Sequence, residues 1–125
     1  MTPNENLWKP VAQKAEPFPN LSPSFKTVMD GLKRAEKLFA AKNEEYASGD
    51  DILGNFRRIA AQQNLPMSTA WFFLASKHID VITQYVKDKR GDMQRVRTQP
   101  ISERIDDLIV YSLLLLAIVE EEERR

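Results

Sequence analysis

Glu103 and Asp107 are the residues whose types and spacing first suggest chemistry. On a helix, a separation of four puts two carboxylates on one face about one turn apart, and Tyr111 continues the row. Asp106 adjoins them. Oxygen ligands of this kind suit Mg²⁺, which holds one or two carboxylates and keeps several waters. A pair of such ions would activate water against a phosphoanhydride. The remaining ligands would come from Glu36, Glu44 or Glu45 on an earlier helix, or from Asp50, Asp51 or Asp80. A local role competes with this one, because acids in the first turns of a helix also complement the positive end of its dipole.

Other chemistries have less to work with. The chain has no cysteine, so it has neither disulfides nor thiolate metal sites. His78 is the single histidine, and reads either as a packed or solvated side chain or as a lone ligand or base. Lys77 and Asp80 are three apart and can form an intrahelical pair. No glycine-rich phosphate loop, Ser-His-Asp set or zinc spacing is present. Residues 89–99 carry Lys89, Arg90, Arg95 and Arg97, which either close over phosphates or form a solvated connector.

A set of short motifs gives these residues a shared setting. Lys42-Asn43-Glu44-Glu45-Tyr46 is followed by Gly49-Asp50, then by Asn55-Phe56-Arg57-Arg58. Lys77 follows on a later helix, and Glu103, Asp107, Leu108 and Tyr111 close the pattern. The stretch resembles a phage and bacterial nucleotide-modification-associated domain family, similar to the MazG-like all-α nucleoside triphosphate pyrophosphohydrolases. The resemblance implies a Mg²⁺-dependent protein that binds or hydrolyses nucleoside triphosphates. It implies catalytic roles for Glu45, Glu103 and Asp107, and metal ligation by these three with Asp106. Lys42, Tyr46, Asn55, Lys77 and Tyr111 would contact the nucleotide. The chain departs from the pattern in having no spaced Glu-x-x-Glu pair near Glu44-Glu45, and in placing Asp80 where the family tends to have arginine. The alternative is a non-catalytic accessory or inhibitor protein that works by oligomerisation and protein contacts.

The elements that must position these residues are helical. Residues 1–21 hold four of the seven prolines and read as an arm with apolar anchors at Trp8, Val11, Phe18 and Leu21. Residues 22–125 read as one all-α domain. Ser22-Pro23 caps a first helix whose inner stripe runs through Phe25, Val28, Met29, Leu32, Ala35, Phe39 and Tyr46. A second helix spans 52–63 behind an Asp50-Asp51 cap. Gly54 signals close packing there or a later helix start, and Asn64 a left-handed stop. Ser68 caps a third helix over 69–89. Thr98 or Ser102 caps the fourth, with Pro100 near its start. From 108 to 119 that helix is apolar all round, so it must be covered on every side. Its Glu120–Arg124 and Glu121–Arg125 pairs suggest a solvated end.

These elements predict a compact four-helix bundle that forms a homodimer or higher homo-oligomer. The 18 acidic and 18 basic residues balance, which removes a global electrostatic case for nucleic acid. The apolar run is roughly 18 Å long at 1.5 Å per residue, short of a ~30 Å bilayer core. With no secretory pattern at the N-terminus, the expected location is the cytoplasm, without a membrane contact.

Overall fold

The computed structural model describes residues 22–46 and 51–124, except for the side chains of Glu45 and Tyr46. The expected arm, the turn at Gly49 and Arg125 lie outside them. Four helices make up the fold: α1 (Pro23–Tyr46), α2 (Gly54–Gln63), α3 (Met67–Arg90) and α4 (Ile101–Glu123). The expected all-α, four-helix class is the observed one. Two compact units divide inside α1, Met1–Asp30 and Gly31–Arg125. No helix among the described residues is long and apolar enough to cross a membrane.

The helix ends follow partly from local chemistry. The Ser22 hydroxyl accepts from the Phe25 amide at 3.3 Å, as a cap before Pro23 should. Asp51 accepts from the Leu53 amide at 3.0 Å and from Arg57 Nε at 2.7 Å, which fixes the approach to α2. The helix itself begins at Gly54, two residues later than the Asp50-Asp51 signal suggests, so the glycine costs little there. Asn64 ends α2 in the left-handed region, φ 55° and ψ 49°, as its type allows.

Two expected caps are replaced. Ser68 lies inside the first turn of α3, and no side chain of Pro66 caps that helix. The carboxylate of Glu122, at the far end of α4, accepts from the Ser68 amide at 3.4 Å and its hydroxyl at 3.0 Å. Neither Thr98 nor Ser102 caps α4, which starts after an extended Pro100. The acidic end of α4 is likewise more than a solvated tail: Glu121 takes both terminal nitrogens of Arg57, one at 2.6 Å.

The core is built from α2, α3 and α4. Leu53, Phe56 and Ala60 pack with Met67, Trp71, Ala75 and Ile118. Trp71 Nε1 donates to the backbone carbonyl of Tyr111 at 2.7 Å, a cross-tie between α3 and α4 that satisfies a buried indole. From Gly31 on, α1 contributes Ala35, which is buried, while Leu32 of its expected inner stripe is exposed. The expectation that α4 is covered on every side holds only for its inner half. Ile105, Leu113, Leu116 and Val119 stay exposed, Leu116 by 69%.

The basic connector between α3 and α4 is folded by one acid. Asp88 is 4% exposed. It accepts from Arg95 at 2.7 and 3.2 Å, from Arg97 at 2.9 Å and from Gln84 at 2.9 Å. The Arg95 guanidinium and the Gln84 amide hold its carboxyl down to about 2. Lys89 and Arg97 both lie over the Tyr85 ring. Arg95 and Arg97 thus serve the loop's own structure, while Lys89 packs on its own helix. We predict that Asp88→Asn loosens residues 91–99 and speeds trypsin cleavage at Arg95 and Arg97. An unchanged cleavage rate would show that the loop is held by something else.

Candidate functional site

Helices that meet at different heights leave a cavity of about 440 Å³ among α1, α2, α3 and α4, within Gly31–Arg125. Its floor is aromatic and aliphatic: Phe39, Ile52, Phe56, Val110, Tyr111 and Leu114. Tyr111 meets Phe56 edge-on, with centroids 6.3 Å apart, and tilts against His78 at 5.3 Å. Amides line the walls from three elements, with Asn43 on α1, Asn55 on α2 and Gln99 at the end of the folded connector. Lys42, Lys77 and Arg104 add cations from α1, α3 and α4.

Helical spacing explains why these side chains share a wall. On α4, Arg104, Asp107, Tyr111 and Leu114 follow one another at intervals of three, four and three, so they stay on one face. On α1, Phe39 and the Lys42-Asn43 pair are three and four apart.

The electrostatics centre on Asp107, the only carboxylate of the cavity wall among the described residues. Its Oδ1 lies 3.1 Å from Lys42 Nζ, and its Oδ2 lies 3.9 Å from His78 Nδ1. Arg104 Nη1 is 3.4 Å from the same imidazole nitrogen. A guanidinium can only donate, so His78 Nδ1 accepts and the ring proton sits on Nε2. Burial pushes the imidazole below its ordinary value, opposed by Asp107 and reinforced by Lys77, Arg104 and Lys42. His78 is therefore a packed, neutral histidine in the cavity wall.

Of the residues expected at a site, Lys42, Asn55, Lys77, Asp107 and Tyr111 all line this cavity. Asn55 also accepts from Arg58 through its side-chain oxygen. Glu103 and Asp106 do not line it. They border a neighbouring hollow of about 430 Å³ with Arg34 and Lys37, and only Gln99 and Asp107 face both spaces. Asp106 is engaged by Arg34 Nε at 3.0 Å and Nη2 at 3.3 Å. The side chains of Glu45 and Tyr46 lie outside the described residues.

The Mg²⁺ set expected of Glu45, Glu103, Asp106 and Asp107 includes Glu45, whose side chain lies outside the described residues. Among the described residues, no three acids or imidazoles gather as a ligand set. Asp106 turns to Arg34, and Asp107 turns to Lys42. Arg104 and Gln99 are the cavity residues that sequence reasoning passed over. Arg104 had a signal, since it precedes Asp107 by three on the same face. Gln99 had none, because only the loop's fold on Asp88 brings it there.

The chain matches no protein-family model, and no curated protein or solved structure matches it significantly.

His78 gives the site a pH test. An imidazole that is harder to protonate when folded takes up its proton on unfolding. Its contribution to stability is full above the ordinary value of 6.5 and is lost as pH falls through the lower folded value. As the chain's only histidine, it should dominate the change in stability between about pH 6.5 and 5. Denaturant unfolding across that interval should show stability falling with acid, and His78→Gln should flatten the dependence. A flat wild-type profile would contradict a disfavoured imidazolium.

Proposed function

We propose that the cavity captures a small phosphate-bearing ligand of the nucleotide class. One observation carries the reading. Lys42, Lys77 and Arg104, from three helices, line a cavity in which Asp107 is the one carboxylate among the described residues. That excess of positive charge stands out in a chain whose total charge is balanced. It suits an anion, and low-dielectric walls strengthen it. Tyr111, Phe39 and Phe56 offer a surface for a base, and the amides of Asn43, Asn55 and Gln99 offer hydrogen bonds to its edge. A volume of about 440 Å³ falls in the range of small-molecule sites. The resemblance of the Lys42–Tyr46, Asn55, Lys77 and Asp107–Tyr111 motifs to nucleotide-handling proteins supports the same reading.

The proposal is for binding. Hydrolysis through Mg²⁺ draws no support from the placement of Glu103, Asp106 and Asp107, so we assign no step to a metal. Asp107 instead holds the Lys42 ammonium in the wall at 3.1 Å, and an incoming phosphate would compete for it.

The test is thermal unfolding with nucleoside mono-, di- and triphosphates, their nucleosides and inorganic pyrophosphate, each with and without Mg²⁺. A ligand at about 100 times its dissociation constant adds ~2.7 kcal/mol, a shift of several degrees for a domain of this size. We expect the phosphorylated members alone to raise the midpoint. Lys77→Ala removes an exposed cation and should weaken binding ~10-fold or more, with stability unchanged. If no phosphate shifts the midpoint, or if Lys77→Ala leaves the shift intact, the assignment fails.

A second reading, a protein that works through association, is favoured by a different observation. Phe72, Phe73 and Leu116 are each more than half exposed. Large apolar side chains left exposed are a mark of association surfaces when they are contiguous, as Phe72 and Phe73 are in sequence.

A further inference from the structure

Residues 91–100 join α3 to α4, a longer connection than the roughly two to eight residues usual between packed helices. A connector of that length could trail through solvent. This one is tied down by Asp88 from both its side chain and its backbone. The carboxylate takes Arg95 and Arg97, and the carbonyl accepts from the Met93 amide at 2.8 Å. Burying a carboxylate is costly, and its guanidinium partners offset that cost without adding much net stability. What the arrangement does supply is a fixed path for the loop.

That path ends at Gln99. Arg97 is held by Asp88, and the two residues from there to Gln99 span at most ~7 Å of chain. On the other side stands Pro100, with φ −56° and ψ 144°, whose carbonyl accepts from the Glu103 amide at 3.1 Å in the first turn of α4. Gln99 is therefore held from both ends. Of the described connector residues it alone lines the cavity, and it also borders the smaller hollow. Arg95 and Arg97 are spent on Asp88, whereas among the described residues the Gln99 carboxamide has no hydrogen-bond partner. A carboxamide both donates and accepts. Both functions stay open to whatever occupies the cavity.

We propose that Asp88 is a positioning residue for the cavity: through Arg95 and Arg97 it seats Gln99 against the polar edge of the bound ligand, at the boundary with the smaller hollow. The inference rests on the cavity's being a nucleotide site, and adds that connector order and cavity occupancy are linked. Linkage is reciprocal. An ordered connector strengthens binding, and a bound ligand steadies the connector by the same factor. Preorganisation of this kind lowers the entropic cost of binding.

Calorimetric titration with the four common ribo- and deoxyribonucleoside triphosphates tests the link. Gln99→Ala should weaken the tightest of them ~5-fold or more. Asp88→Asn should weaken it to a similar extent. Combined with Gln99→Ala, it should add no further loss, because the two residues act through one contact. A merely structural Asp88 would cost the same affinity in both backgrounds. Arg95→Gln changes a side chain that is 43% exposed and loosens the loop from its own side. It should show the same pattern, which keeps the test decisive if Asp88→Asn impairs folding. In the wild type the same nucleotide should slow trypsin cleavage at Arg95 and Arg97, and Gln99→Ala should abolish the slowing. Equal losses with and without Gln99, or cleavage indifferent to nucleotide, would overturn the link and leave the cavity as a binding site. Failure of every triphosphate to bind the wild type would overturn the inference together with the reading on which it rests.

Discussion

A helix with no polar side sets the main constraint on this fold, and α4 is that helix. Between 108 and 119 only Tyr111 and Ser112 carry polar side-chain atoms, and the Ser112 hydroxyl is bound to its own helix. Leaving each such side chain in water forgoes roughly 25 cal/mol per Å² of apolar surface. The other elements are arranged to cover it. Trp71 and Ala75 of α3 and Phe56 of α2 bring the core to Ile118 and Tyr111. One side of the helix remains uncovered after all of the described helices are placed.

Carboxylates then fix how each neighbour meets α4. Asp106 holds Arg34 and Asp107 holds Lys42 of α1, Glu121 holds Arg57 of α2, and Glu122 caps α3 through Ser68. Most of these partners are partly exposed, and such pairs contribute little net stability, ~0–1 kcal/mol each. Their effect is geometric. They tie α1 and α2 to α4 around the cavity that side chains of all four helices line. An acid row that invites a metal reading is therefore largely occupied in holding cations. The cations left facing the cavity give it its positive character.

Much of this was legible in the chain. Periodicity places four helices, Ser22-Pro23 starts α1, and Asn64 stops α2, because each rests on local backbone chemistry. The short motifs likewise pick out Lys42, Asn55, Lys77, Asp107 and Tyr111, which meet in one cavity. What escaped depends on contacts between distant residues. No local rule links Ser68 to Glu122, and a serine before an apolar run looks the same whether it caps or is capped. Asp88 sits in a basic stretch, and only the return of the loop reveals Arg95 and Arg97 as its donors. Glu103 and Asp107 share the smaller hollow, as their spacing suggests, but only Asp107 reaches the cavity as well. Helical spacing aligns their Cα atoms, but Arg34 and Lys42 decide where the neighbouring carboxylates turn.

Adjacent residues on α4 point to different environments, and this links the cavity to the open face. Asp107 and Tyr111 belong to the cavity wall, while Ser112, one position beyond Tyr111, is exposed to the outside. An α-helix turns by about 100° per residue, so neither set can shift along the axis without the other. Trp71 tightens the connection by holding the Tyr111 carbonyl from α3. Lys42 of α1 and Trp71 of α3 thereby hold Asp107 and Tyr111 in place from two sides. Ordering the wall in advance lowers the entropic cost of seating a ligand against it. The contacts that fix α4 thus serve the site as well, because the same helix carries Arg104, Asp107 and Tyr111 into its wall.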